Sequence, residues 1–228
     1  MNSFMTATIA ETEFPPRHYP NGRAKCADLT VHLAGIVLAI VGAFFLIILS
    51  LQSGHTGRVW AVSIYSAGII AMLSFSAIYN FAPKEKRPGL RRLDYSGIFL
   101  MIAASYTPFT TQRLEGVWAI GMTAAVWGLA GFGIFAKFFM PWLSKRFWVF
   151  FYIALGWLVV VAIGPMLASV HWVSLLLLLI GGVVYTFGVI FHMKPSITYS
   201  HAIWHGHVVA AAGTHWAAVL VGVVLVPV

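Results

Sequence analysis

Long uncharged runs separated by short polar breaks set the pattern of this chain. Seven stretches, at roughly 20 residues each, are long enough to cross a hydrocarbon core as helices. They run from Leu29 to Leu51, Val59 to Ala82, Leu93 to Thr111, Val117 to Phe139, Phe147 to Leu167, Trp172 to Met193 and His201 to Val226. The break from Met166 to His171 is the least marked. This pattern predicts an all-α, polytopic membrane protein, a seven-transmembrane-helix bundle over residues 28–228. Residues 1–27 are expected to form a polar, largely unstructured cytoplasmic tail. In it Glu11, Glu13, Pro15, Pro16 and Arg17 precede any apolar run of useful length, unlike a cleaved signal.

Composition sharpens the class. With 60% hydrophobic and 9% charged residues and a mean hydropathy of +0.88, the chain is far too apolar for a water-soluble domain. The net charge of +8 does not point to nucleic acid, because the basic residues sit in short clusters between apolar runs. They orient the protein instead. With the tail inside, Arg17, Arg23, Lys25, Lys84, Lys86, Arg87, Arg91, Arg92, Lys137, Lys145, Arg146 and Lys194 are cytoplasmic, and only Arg58 and Arg113 fall outside. That bias predicts a cytoplasmic N-terminus and an external C-terminus. The single cysteine, Cys26, cannot form an internal disulfide.

Orientation brings distant polar residues to one depth. The second helix ends inside while the third and seventh begin inside, so Ser76, Asn80, Asp94, His201 and His205 all belong to the cytoplasmic leaflet. His201 and His205 are one helical turn apart, a spacing that can hold one metal ion. Asp94, a carboxylate bordering the membrane, needs a partner there: a histidine, a metal ion, or Arg91 and Arg92. His32 and His192 lie at a suitable depth, whereas His207 points elsewhere and His215 is roughly 15 Å deeper. Two histidines supply half of a zinc shell, and zinc with a nearby carboxylate suits amide hydrolysis of a lipid. The competing reading is a hydrogen-bonded network that only ties helices together. Phosphate-binding loops, zinc knuckles and His-Glu-x-x-His are absent from the sequence. The stripe Gly206, Ala210, Gly213, Ala217, and the pair Ala124 and Gly128, are expected to be close-packing surfaces.

Ordered segments across the membrane region carry a family likeness. They are His32-Leu-Ala-Gly35, Ser76-Ala-Ile-Tyr-Asn80, Leu93-Asp94-Tyr95-Ser96-Gly97-Ile98, Ser105-Tyr106-Thr107-Pro108-Phe109 and Tyr199-Ser200-His201-Ala202-Ile203-Trp204-His205. Through these the sequence resembles the hemolysin III group of the progestin and adipoQ receptor family. The resemblance implies seven helices, a cytosolic N-terminus and a zinc ion held by one histidine of the second helix and two of the seventh. An aspartate of the third helix and a serine of the second stand behind them. His201, His205, Asp94 and Ser76 match; Asn80 stands where the first histidine is expected, and Val31 where threonine is usual.

The resulting expectation is a multi-pass protein of the cell inner membrane. Its metal ligands are His201, His205 and Asn80, its cofactor is zinc, and Asp94 and Ser76 are catalytic. It acts on a membrane lipid of ceramide type, without nucleic acid. The alternative is a non-catalytic sensor or membrane-perturbing protein with a structural His/Asp/Asn cluster. With Asn80 in place of histidine, either Asp94 moves onto the metal, His32 or His192 substitutes, or the metal site is weak or lost.

Overall fold

The computed structural model describes residues 18–140 and 142–226. Among these, every regular element is helical. Seven rods follow one another: α1 Gly22–Gln52, α2 Thr56–Phe81, α3 Arg87–Gln112, α4 Gly116–Phe139, α5 Lys145–Ser169, α6 Trp172–Met193 and α7 Ser200–Val224. All but α3 are long and apolar enough to cross a membrane. α3 is as long as α2, but Arg87, Arg91, Arg92 and Asp94 crowd its first turns and lower its mean apolarity. The chain is a polytopic helical membrane protein.

Neighbours in sequence pack as neighbours in space, and α1 closes the ring against α7. Tyr65, Ile69 and Met72 of α2 join Leu46 of α1, Met101 of α3 and Val208 and Val219 of α7 in one core. Val37, Phe44, Ile120, Phe150 and Val161 point outward, as a lipid-facing exterior requires.

Three features depart from the sequence expectation. First, α1 begins at Gly22 rather than near Leu29, because the Asn21 side chain accepts from the Ala24 amide at 2.8 Å and caps the helix. Residues 22–27 are thus helix, while Glu11, Glu13, Pro15, Pro16 and Arg17 of the expected tail lie outside the described residues. Second, α5 is broken by a tight 3₁₀ turn at Leu158–Ala162. Pro165 lacks an amide hydrogen for the Val161 carbonyl, and at the start of the turn the Tyr106 hydroxyl stands in for a backbone partner. Its oxygen accepts from Val159 N at 2.8 Å and lies 2.8 Å from the Gly156 carbonyl, to which it donates.

Third, the small-residue stripes do not pack within the chain. Gly213 and Ala210 are exposed, Gly206 and Gly128 have open space where a side chain would begin, and Ala124 is exposed. Close helix approach instead uses Gly68 against Ala104 and Gly133 against the Phe99 ring. The face of α7 that must lie inward is the one bearing His205, Val208 and Ala212, and it turns the small stripe out.

Candidate metal centre

The early start of α1 has a chemical result. Asp28 and His32 lie one turn apart inside the helix, and both are buried. His205 reaches them from α7, and Ser76 and Asn80 from α2, all three buried. Asp28, His32 and His205 each offer one atom within 4.8 Å of the others, so this group can hold a metal ion.

Hydrogen bonds fix the roles of the two imidazoles. His205 Nδ1 lies 2.6 Å from Asp28 Oδ1, and His32 Nδ1 lies 2.9 Å from the Asp28 backbone carbonyl. Both acceptors lack hydrogen, so both rings carry their proton on Nδ1 when neutral. The two Nε2 atoms then present lone pairs, and both face the Ser76 hydroxyl, at 3.2 Å from His32 and 3.4 Å from His205. The ring centroids are 4.2 Å apart. Ser76 can donate to only one Nε2, and its oxygen already accepts from Asn80 Nδ2 at 3.3 Å. One imidazole nitrogen is left facing the site with a lone pair and no donor.

Around this pair the N-terminal segment folds back. The Tyr19 hydroxyl donates to Asp28 Oδ2, so both carboxylate oxygens are engaged. His18 Nε2 donates to Asn80 Oδ1 at 2.8 Å. Burial holds the His18 imidazole below its ordinary pKa, although the Asn80 contact opposes that shift. A cavity of about 230 Å³ opens beside the centre, lined by Ser76, Asp94, His192, His201 and His205 among others. The Asp94 carboxylate enters it from α3, facing Ser76 and His205.

The expected site residues are therefore distributed unequally. His205 and Ser76 lie in the converging group. Asn80 does not offer its oxygen inward, because His18 occupies it and the amide nitrogen is tied to the Ser76 carbonyl at 2.9 Å. His201 lines the cavity but stands outside the three-residue group: its ring is 6.5 Å from that of His205 and rests against His18 and Tyr19 at 4.9 and 5.2 Å. His192 lies against Trp204. Asp28 is the residue that sequence reasoning missed. Its i, i+4 spacing to His32 is the same signal that singled out His201 and His205, and a helix start read at Asn21 would have exposed it.

Fold and site together define a polytopic helical membrane protein with a buried histidine–carboxylate centre able to hold a metal. The chain matches the family model described as Haemolysin-III related over residues 26–216. It belongs to that family, the hemolysin III group of the progestin and adipoQ receptors. It is 32% identical over 209 residues to the Hemolysin-3 homolog of Bacillus subtilis (strain 168), covering 90% of this chain and 97% of that protein. Identity to Hemolysin-3 of Bacillus cereus is 33% over 184 residues, covering 80% and 84%. Identity to the human Monocyte to macrophage differentiation factor is 29% over 211 residues, covering 89% and 86%.

Proposed function

We propose that this protein is a zinc-dependent hydrolase of lipid amides of the ceramide class, seated in the cell inner membrane. All seven helices cross the bilayer in this reading, with the N-terminus cytoplasmic and the C-terminus outside. The length of α3 and its position between α2 and α4 support its crossing. The concentration of Lys and Arg in the cytoplasmic segments supports the orientation.

One observation carries the proposal: two imidazole lone pairs converge on a single hydroxyl that can satisfy only one of them. A cation answers that arrangement, and the two imidazole nitrogens are of the type that suits zinc, one protein ligand short of the three usual in a catalytic site. His32 and His205 would hold it through Nε2. Asp28 orients His205 through Nδ1, the usual partnership of a carboxylate with a metal-bound imidazole. Bound there, zinc supplies Lewis acidity toward an amide carbonyl and makes water a nucleophile near neutral pH. Ser76 lies against both imidazoles, and Asn80 holds the hydroxyl in place. His201 and His18 line the cavity, and the Tyr19 ring rests against His201. The Asp94 carboxylate takes the proton from the attacking water and returns it to the departing amine nitrogen.

Room for the lipid chain lies alongside. A second, mainly apolar cavity of about 480 Å³ runs among α3, α5, α6 and α7, within the size range of ligand pockets. It shares Met72, Ile98, Tyr185 and Trp204 with the polar cavity as common walls.

A second reading has its own observation. A protonated His205 at 2.6 Å from Asp28 would form a buried ion pair and donate Nε2–H to Ser76, giving a non-catalytic, structural cluster in a sensor or membrane-perturbing protein. Metal analysis of the purified protein separates the two. The hydrolase reading expects stoichiometric zinc that His205→Ala removes, with loss of ceramide turnover in His205→Ala and about 10²-fold or greater loss in Asp94→Asn. Less than about a tenth of a zinc per chain, unchanged by His205→Ala, refutes it.

A further inference from the structure

The apolar cavity is not uniformly apolar. His215 of α7 lines it, ten residues and roughly 15 Å along the helix from His205. Its ring lies in a notch where Gly181 of α6 has no side chain; a Cβ there would collide with the imidazole. His215 Nε2 lies 3.2 Å from the Leu178 carbonyl. That oxygen can only accept, so Nε2 carries the hydrogen and Nδ1 of the neutral ring is left as an acceptor. The Tyr185 ring meets the imidazole edge-on at 5.6 Å. The Tyr185 hydroxyl is itself buried without a hydrogen-bond partner among the described residues. Neither group takes part in the metal centre. An imidazole held at membrane depth in a chamber walled mainly by aliphatic and aromatic side chains carries a desolvation cost that a ligand contact would offset.

We propose that His215 is a specificity-determining residue that reads a hydroxyl on the lipid chain, well removed from the reacting amide. The inference rests on the reading that this cavity takes the acyl chain. The ligand class is a long-chain lipid hydroxylated near mid-chain, at the distance that separates His215 from His205. Its O–H donates to Nδ1, while an unsubstituted chain leaves that nitrogen without a donor. Met101, Met122, Leu175 and Leu179 line the same cavity and supply apolar contact for the rest of the chain.

The test uses full-length protein in detergent and measures displacement of a fluorescent fatty acid by stearate, 3-hydroxystearate and 12-hydroxystearate. The wild type is expected to bind 12-hydroxystearate about five- to tenfold more tightly than stearate, the worth of one net hydrogen bond. The 3-hydroxy isomer should gain nothing, since its hydroxyl stops short of His215. His215→Phe should still bind stearate and bind all three equally. Equal affinity for stearate and 12-hydroxystearate in the wild type overturns the proposal. So does a 12-hydroxy preference that survives His215→Phe, or an equal gain from the 3-hydroxy isomer. The isomer comparison needs no variant, so it holds even where His215→Phe fails to fold. A protein that hydrolyses no amide yet keeps a 12-hydroxy preference dependent on His215 would lose the hydrolase reading and retain this one.

Discussion

Replacing Asp28 with asparagine probes the centre at its most constrained atom. The carboxylate accepts from His205 Nδ1 at 2.6 Å and from Tyr19, and is fully buried. Asparagine has the same shape, but it offers one acceptor where aspartate offers two and turns an N–H toward a group that already donates. Charge-assisted hydrogen bonds of this kind contribute about 1.5–3 kcal/mol each. Weakening the one to His205 frees the imidazole to rotate and lowers the basicity of Nε2. Losing such a partner typically costs 10- to 100-fold in metal affinity, or about 1.4–2.8 kcal/mol, which agrees with the worth of the bond. The assay is zinc competition against a chromophoric chelator at neutral pH, on Asp28→Asn and wild type purified side by side. An affinity within about threefold of wild type would contradict the role given to Asp28, because the expected loss starts at tenfold. A variant that loses zinc but melts like the wild type would agree with an orienting role and leave little energy in the Tyr19 contact.

Other outcomes follow from the same geometry. Asn80→His adds an imidazole beside Ser76 and should tighten zinc binding, read by the same competition; unchanged affinity would mean that α2 cannot aim a ring at the Nε2 pair. Gly68→Ala drives a methyl into Ala104 and should destabilise the α2–α3 interface by about 1–3 kcal/mol, measured as a lower melting temperature in detergent. His18 has a pKa depressed below 6.5 by burial, so the unfolded chain binds more protons between the two values, and stability falls as pH drops below about 6.5 toward the folded pKa. A His18→Gln variant, which keeps a donor for Asn80 without titrating, should show a shallower acid decline in melting temperature than the wild type.

Much of the fold was legible because bilayer crossing demands long uninterrupted apolar runs. α4 and α6 fall where those runs end, and α6 carries the expected bounds Trp172–Met193. The first helix was read too short because a run-based boundary waits for the last charge, whereas the helix is set by the cap at Asn21 and carries Arg23, Lys25 and Asp28 in its opening turns. The break in α5 needs a hydroxyl from α3 to be tolerated, and no local pattern in α5 reveals Tyr106. At the site, Ser76, Asn80, Asp94, His201 and His205, which the sequence pattern puts at one depth, all line one cavity. Depth does not give rotation about a helix axis, which decides that His205 meets His32 and Asp28 while His201 turns toward His18 and Tyr19. The contributions of His18 and Tyr19 depend on a non-helical segment folding back, a tertiary event without a sequence period.

The Tyr106 hydroxyl at the α5 break has a mechanical consequence. An ordinary rod in lipid resists bending because each opened amide would face hydrocarbon. Here a borrowed hydroxyl already serves the Val159 amide and the Gly156 carbonyl, so a bend at this point leaves those two groups satisfied. The chamber wall thereby acquires a joint, and the joint's pin is anchored on the same helix that carries Asp94.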